Sequence, residues 1–128
     1  MPVVGLGGFF WRAKDPEGLK AWYREHLDVG GGCGTDGNGQ SSEWFWHPEP
    51  GPVVFEPFKD TTDYFAADKA FMLNLRVRDL DSLLEQLNAA GIDILTKDEW
   101  DTPEMGRFAR IHDPEGNAIE LWEPPAQG

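Results

Sequence analysis

The chain has 128 residues, of which 40% are hydrophobic and 27% charged, as is usual for one globular domain. Its formal net charge of −12 argues against nucleic acid as a partner, since phosphates would be repelled, and it favours solubility or a cationic ligand. No apolar run is long enough to cross a membrane, so we expect no membrane partner.

The first half of the chain predicts a strand, a helix, a short strand within a glycine-rich loop, and two further strands. Asp15-Pro16-Glu17 is a typical helix start, because Asp caps free N–H groups, Pro suits the first turn and an acid favours the positive helix end. The glycine-rich stretch that follows lacks the Gly-Lys-Ser/Thr ending of a phosphate loop, and we interpret it as a flexible connection. In chain order the strand, helix, loop and two strands occupy residues 3–12, 16–29, 30–39, 42–47 and 53–58.

The second half follows the same plan after a polar connection at residues 59–69. It ends in two strands that flank Asp113-Pro114-Glu115-Gly116-Asn117. These residues favour a tight turn, because Pro fixes φ, Gly tolerates a positive φ, and Asp and Asn bond to their own backbone. The predicted strand, helix, strand and closing hairpin occupy residues 71–77, 79–91, 92–96, 108–111 and 118–122.

The two halves also match each other when the sequence is shifted by half its length. Five identities then fall at equivalent points of the pattern: Arg12 with Arg76, Asp15 with Asp79, Leu19 with Leu83, Pro50 with Pro114, and Glu56 with Glu120. Such a long period indicates two copies of one unit. We expect a single domain of two modules, at about 1–60 and 70–124, with residues 59–69 as the linker.

Three sequence features resemble the vicinal oxygen chelate superfamily, which contains glyoxalase I, bleomycin-resistance proteins and extradiol dioxygenases. They are Asp15 followed by Trp22-Tyr23 and Leu27, the run from Val77 to Asp81, and Asp113 to Asn117 followed by Ile119-Glu120. The resemblance covers nearly the whole chain. It implies an α+β fold of two βαβββ modules in tandem, whose curved mixed sheets enclose a cleft, commonly in a homodimer.

The resemblance also implies four symmetric metal-ligand positions, on the first and last strand of each module. The last-strand positions fall on Glu56 and Glu120, but the first-strand positions fall on Gly8 and Met72, which are poor ligands. Glu56 and Glu120 are therefore the predicted catalytic or metal-binding carboxylates, with His47 as a further metal ligand. We expect no tightly bound cofactor, with a divalent metal as the alternative.

Strand alternation predicts which other side chains share the cleft with these positions. The predicted ligand-binding residues are Phe10, Arg12, Trp44, Trp46, Phe58, Met72, Asn74, Arg76 and Trp122. They would give the cleft an aromatic wall, to which six Trp and eight Phe in the chain also point. Alternatively, Arg12 and Arg76 form structural ion pairs with the two glutamates.

Three functions are compatible with these residues. The first is a bleomycin-resistance-like protein that binds a small aromatic or cationic molecule in its cleft without a complete metal site. The second is a metal-dependent lyase or isomerase of the glyoxalase I type that uses Glu56 and Glu120, and the third is a structural dimer with a vestigial cleft. We expect a homodimer, and a cytoplasmic location because a single cysteine, Cys33, fits a reducing compartment and the N-terminus lacks a secretory signal.

Overall fold

Two α-helices and a three-stranded sheet form the regular structure of the computed structural model, which describes residues 2–34 and 44–125. The helices are α1 (Pro16–Leu27) and α2 (Leu80–Ala89), and the strands are β1 (Leu73–Arg76), β2 (Arg107–His112) and β3 (Ala118–Glu123). Over the described ranges, neither helix has the length and apolar character that a membrane crossing needs. Much of the predicted glycine-rich loop and the first part of the strand at 42–47 lie outside the described residues.

The central strand of the sheet is β3, which runs parallel to β1 and antiparallel to β2. The hairpin between β2 and β3 closes at the predicted turn, where the Asp113 and Asn117 backbones pair at 3.0 Å and Gly116 adopts a φ of 81°. That positive φ is accessible to glycine without steric cost. The chain returns from β1 to β3 through α2, so the second half has the mixed α+β arrangement that the sequence predicts.

Both helices begin where an aspartate caps them. The carboxylate of Asp15 accepts the Gly18 N–H at 3.1 Å, and that of Asp79 accepts the Ser82 N–H at 3.3 Å. The helices cover one side of the sheet, where the alternate residues Leu73, Leu75, Ala109, Ile111, Ile119 and Leu121 join Leu19, Tyr23, Leu80 and Leu87 in one apolar core. Its two most central strand residues, Ile119 and Leu121, are fully buried.

The closing turn also holds α1 against the sheet. The side chain of Glu115 accepts the backbone N–H groups of Lys14 and Asp15 at 2.7 and 2.9 Å, immediately before the helix begins. From within the helix, the Tyr23 hydroxyl donates to Asp113 at 2.8 Å. The Asp-Pro-Glu-Gly-Asn motif is therefore a structural brace as well as a turn.

The predicted strands of the first half do not form in the single chain. Residues 3–12 and 53–58 have no regular structure, and residues 44–47 contribute only an isolated bridge between His47 and Gly34. In the second half, the predicted strand at 92–96 is reduced to one bridge, between Leu95 and Arg110. A strand needs a neighbour for its backbone hydrogen bonds, and within the described residues none lies beside 3–12 or 53–58. The tandem pair of βαβββ modules is thus not seen in one chain.

Candidate functional site

The side of the sheet away from the helices carries the polar and aromatic residues of the strands. We call it the inner face and define it by Asn74, Arg76, Phe108, Arg110, Glu120 and Trp122. The register places Asn74 and Arg110 on either side of Glu120, and Arg76 and Phe108 on either side of Trp122. Strand alternation predicts that the four of these residues named from the sequence share one face: Asn74, Arg76, Glu120 and Trp122.

Glu120 is the best-supported charged group of the inner face. Only 9% of it is exposed. One carboxylate oxygen accepts the Tyr64 hydroxyl at 2.5 Å, and the other accepts the Asn74 amide N–H at 2.7 Å. Such donors compensate the loss of water around a buried carboxylate. Both oxygens of Glu120 are therefore already engaged within the chain.

Tyr64 reaches Glu120 from the linker between the predicted modules, and the sequence analysis did not identify it. Burial, followed by the hydrogen bond and charge of Glu120, raises the pKa of Tyr64 to about 12, although the positive charge of Arg110 acts in the opposite sense. At neutral pH the phenol therefore keeps its proton and donates a hydrogen bond to Glu120. The sequence feature that could have pointed to Tyr64 is that the chain has only two tyrosines.

Arg110 lies against two neighbouring aromatic rings on the inner face and is only 6% exposed. Its guanidinium carbon is 4.8 Å from the centre of the Tyr64 ring and 5.6 Å from that of Trp100. Its Nη1 donates to the Tyr64 carbonyl at 3.1 Å, whereas its Nε and Nη2 are buried with no hydrogen-bond partner. The sequence analysis missed this residue too, although counting back from the hairpin turn pairs it with Glu120.

Arg76 has a different role from either of those considered in the sequence analysis. It donates to the carbonyls of Pro52 at 2.7 Å and Glu49 at 2.5 Å, and forms no bond with Glu120. A Cβ on Gly51 would lie 2.5 Å from its Nη1, so this turn passes directly over the guanidinium. The prediction of an Arg76–glutamate ion pair is wrong in the single chain, because the guanidinium is occupied by backbone carbonyls. Arg76 fastens the turn at 49–52 to β1.

Trp122 and Phe108 form a flat aromatic surface at the end of the inner face. Their rings are stacked, with centres 6.4 Å apart and planes inclined by 10°. The Trp122 indole N–H donates to the Met105 carbonyl at 2.7 Å, which fixes the ring. Phe58 approaches the same face through Tyr64, at 5.8 Å between ring centres. Aromatic side chains thus border Glu120 and Arg110 on several sides.

The other predicted site residues differ in their exposure. Exposed positions are found for Gly8, Phe10, Arg12, Trp44, Trp46 and Glu56, and half-buried ones for His47 and Met72. Among the described residues, no group of three or more His, Cys, Asp or Glu side chains is arranged to hold a metal ion. Glu56 and His47 therefore do not join Glu120 in a donor set within this part of the chain.

The two tyrosines make an alkaline titration informative, because both donate to buried carboxylates. Burial and the contact with Asp113 raise the pKa of Tyr23 as well. The folded protein thus keeps protons that the unfolded chain loses above the ordinary tyrosine pKa of 10.0, so stability is full below pH 10 and falls as pH rises towards 12. We expect no tyrosinate absorbance from folded protein near pH 10, and appearance at that pH would contradict these contacts. Tyr64→Phe should remove the step near pH 12 and leave that of Tyr23.

Comparison with known proteins gives one family and a similar solved structure. The family described as Glyoxalase-like domain matches residues 8–122. The crystal structure of TnmS3, an antibiotic binding protein from Streptomyces sp. CB03234, is 22% identical in sequence and superposes with a TM-score of 0.55. The match covers 97% of this chain and 98% of that one. No curated protein matches. At this identity the structural likeness concerns the fold.

Proposed function

This chain belongs to the glyoxalase-like domain family, and so to the vicinal oxygen chelate superfamily, and from that premise we propose that its inner face binds a small aromatic molecule. The observation that carries the proposal is the group of aromatic side chains on and beside the inner face. Tyr64 and Trp100 lie against the buried guanidinium of Arg110, and the stacked rings of Phe108 and Trp122 lie on the same face as Arg110 and the buried carboxylate of Glu120. Small-molecule sites combine such apolar walls with a few fixed polar groups.

The arrangement favours reversible binding over catalysis. Each oxygen of Glu120 accepts a hydrogen bond, one from Tyr64 and one from Asn74, so this carboxylate is held in place as an acceptor. We propose that binding needs no tightly held metal, because the first-strand positions are Gly8 and Met72. TnmS3, which shares the fold, is itself an antibiotic binding protein, which fits a sequestering role for this chain.

The metal-dependent lyase or isomerase is the alternative. It requires Glu56 and His47 to approach Glu120, and the single chain leaves Glu56 exposed. A second copy of the chain would be a route by which these residues meet on the inner face. Treatment with a chelator distinguishes this alternative from binding without a metal.

The test is a fluorescence titration of the purified protein with planar aromatic compounds of increasing size. We expect saturable quenching of tryptophan emission, recovery of the compound unchanged, and the same affinity after treatment with a chelator. Trp122→Ala should weaken binding about tenfold or more, as removal of a central aromatic contact does. Trp22→Ala, a half-buried tryptophan on α1, is the matched control and should bind as the native chain does.

Two results would contradict the proposal. Absence of quenching by every compound would argue that the inner face binds no aromatic ligand, and equal binding by Trp122→Ala would place the ligand elsewhere. Conversion of the compound, abolished by the chelator and by Glu120→Ala, would instead establish the lyase or isomerase.

A further inference from the structure

We propose that Arg110 binds a carboxylate carried by the aromatic ligand, through its Nε and Nη2 atoms. The inference rests on the proposed function and specifies its ligand class as aromatic carboxylates. Neither the family match nor the neighbouring structure assigns a role to this residue. The inference is based on the buried guanidinium of Arg110, whose N–H groups have acceptors for only some of their hydrogen bonds.

The donors of Arg110 are unequally satisfied. The guanidinium offers five N–H groups, and the chain provides an acceptor for Nη1, the Tyr64 carbonyl. The Nε and Nη2 atoms are shielded from solvent and have no partner. Leaving a buried donor without an acceptor destabilises the protein, and more so where the group is charged. An acceptor that reached Nε and Nη2 of Arg110 would remove this destabilisation.

The geometry of the unpaired atoms favours a carboxylate. The N–H bonds of Nε and Nη2 lie on one edge of the planar guanidinium and point the same way, which matches two oxygens of one carboxylate. Glu120, which faces Arg110 across the strand pair, does not fill this position, because its oxygens accept from Tyr64 and Asn74. The acceptor must therefore come from outside the described residues.

The two rings beside Arg110 suit the rest of such a ligand. Tyr64 and Trp100 contact the guanidinium and each other, and both belong to segments outside the strands and α-helices, namely the linker and the 3-10 turn Asp98–Trp100. Binding requires that these half-buried side chains move to uncover the edge of Arg110. A planar acid would then place its carboxylate on Arg110 and its ring against the aromatic wall.

The charge of the chain makes the test specific. At a net charge of −12 the surface repels anions in general, so saturable binding of a simple anion requires a local site. We would compare naphthalene carboxylate, carboxamide and carboxamidine by calorimetry, because these probes share one ring system and differ in charge. We expect the carboxylate to bind at least tenfold more tightly than the carboxamide, since hydrogen bonds between charged groups are stronger than those to a neutral amide.

Variants of two arginines on one strand complete the design. Arg110→Met should abolish the preference for the carboxylate, while Arg110→Lys should keep part of it, because lysine retains the charge without the paired N–H edge. Arg107→Met is the matched control, since Arg107 also lies on β2 but its side chain pairs with Asp81 at 2.8 Å. It should leave the preference unchanged.

The outcomes separate this inference from the proposed function. If the three probes bind equally, if the carboxamidine binds best, or if Arg110→Met keeps the preference, the Arg110 proposal is overturned while aromatic binding stands. If no probe and no other planar aromatic compound binds, both fail. Should Arg110→Met not fold, Arg110→Lys and the charge series on the native chain decide.

Discussion

Light scattering during size-exclusion chromatography should give a particle of twice the 14.4 kDa chain mass, and Phe55→Glu should convert it to the single-chain mass. In the single chain, the large exposed hydrophobic residues among the described positions fall, except for Leu95 and Met105, before residue 59. They include Val4 at 98%, Phe10 at 84% and Phe55 at 79% exposure. An apolar surface of this extent marks an interface.

We propose that a second copy of the chain covers the apolar surface and pairs with the predicted strands. Residues 3–12 and 53–58 have the strand pattern but no neighbour, and a second copy offers both the free edge of β1 and complementary strands. Fully burying one Phe stabilises an interface by about 1.5–3 kcal/mol, and a buried unpaired carboxylate costs several more. A single charged substitution at Phe55 should therefore be enough to separate the copies.

Met105→Glu is the matched control for this experiment. Met105 is also exposed, at 57%, but it lies in the loop before β2, outside the surface formed by the first half. This variant should keep the mass of the native particle. A native chain that elutes at 14.4 kDa even at high concentration, or a Phe55→Glu variant that keeps the doubled mass, would contradict the second-copy proposal.

The elements that the sequence predicted correctly are those with local signals. Asp15 and Asp79 cap the two helices, and the turn from Asp113 to Asn117 closes the hairpin. Each signal acts over a few residues, so the rest of the fold does not need to be known. The sharing of one face by Asn74 and Glu120 follows in the same way from alternation along strands.

The first half shows where alternation is insufficient. It indicates which side chains of a strand share a face, but it does not identify the neighbour that supplies the backbone hydrogen bonds. Within the described residues no strand lies beside 53–58, so Glu56 is not placed symmetrically to Glu120. The internal repeat predicts that symmetry, and we expect pairing with a second copy to restore it.

The two most informative site residues were missed for different reasons. Tyr64 contacts Glu120 from a linker with no regular structure, and no local pattern specifies a contact across that distance in the chain. Arg110 was within reach of the sequence, because residues equidistant from the hairpin turn pair with each other, and this places it opposite Glu120. Arg110 lies on the third strand of its predicted module, whereas the resemblance points to the first and last strands.

Asp113→Ala should reduce the free energy of unfolding by about 3–5 kcal/mol, the second large effect that the structure predicts. Asp113 is only 4% exposed, and its carboxylate accepts hydrogen bonds from the Tyr23 hydroxyl, the Glu115 N–H and both the backbone and side chain of Asn117. Alanine would leave these donors without their acceptor, and those of Tyr23 and Asn117 are buried. Urea denaturation followed by tryptophan fluorescence measures the loss.

A double-mutant cycle measures how much of this loss in unfolding free energy comes from the Tyr23–Asp113 hydrogen bond between α1 and the turn. Tyr23→Phe and Asp113→Ala should lose less stability together than the sum of their separate effects, by about 1 kcal/mol or more, because both remove one bond. Asp93→Ala, at an exposed aspartate, is the control and should stay within about 0.5 kcal/mol of the native chain. A loss below about 1 kcal/mol for Asp113→Ala would contradict the brace.

Asp113 lies at the hairpin turn and not on the inner face. Folded Asp113→Ala protein should therefore bind the aromatic ligand proposed for the inner face with native affinity. That result would separate the motif that shapes the fold from the residues that serve the site.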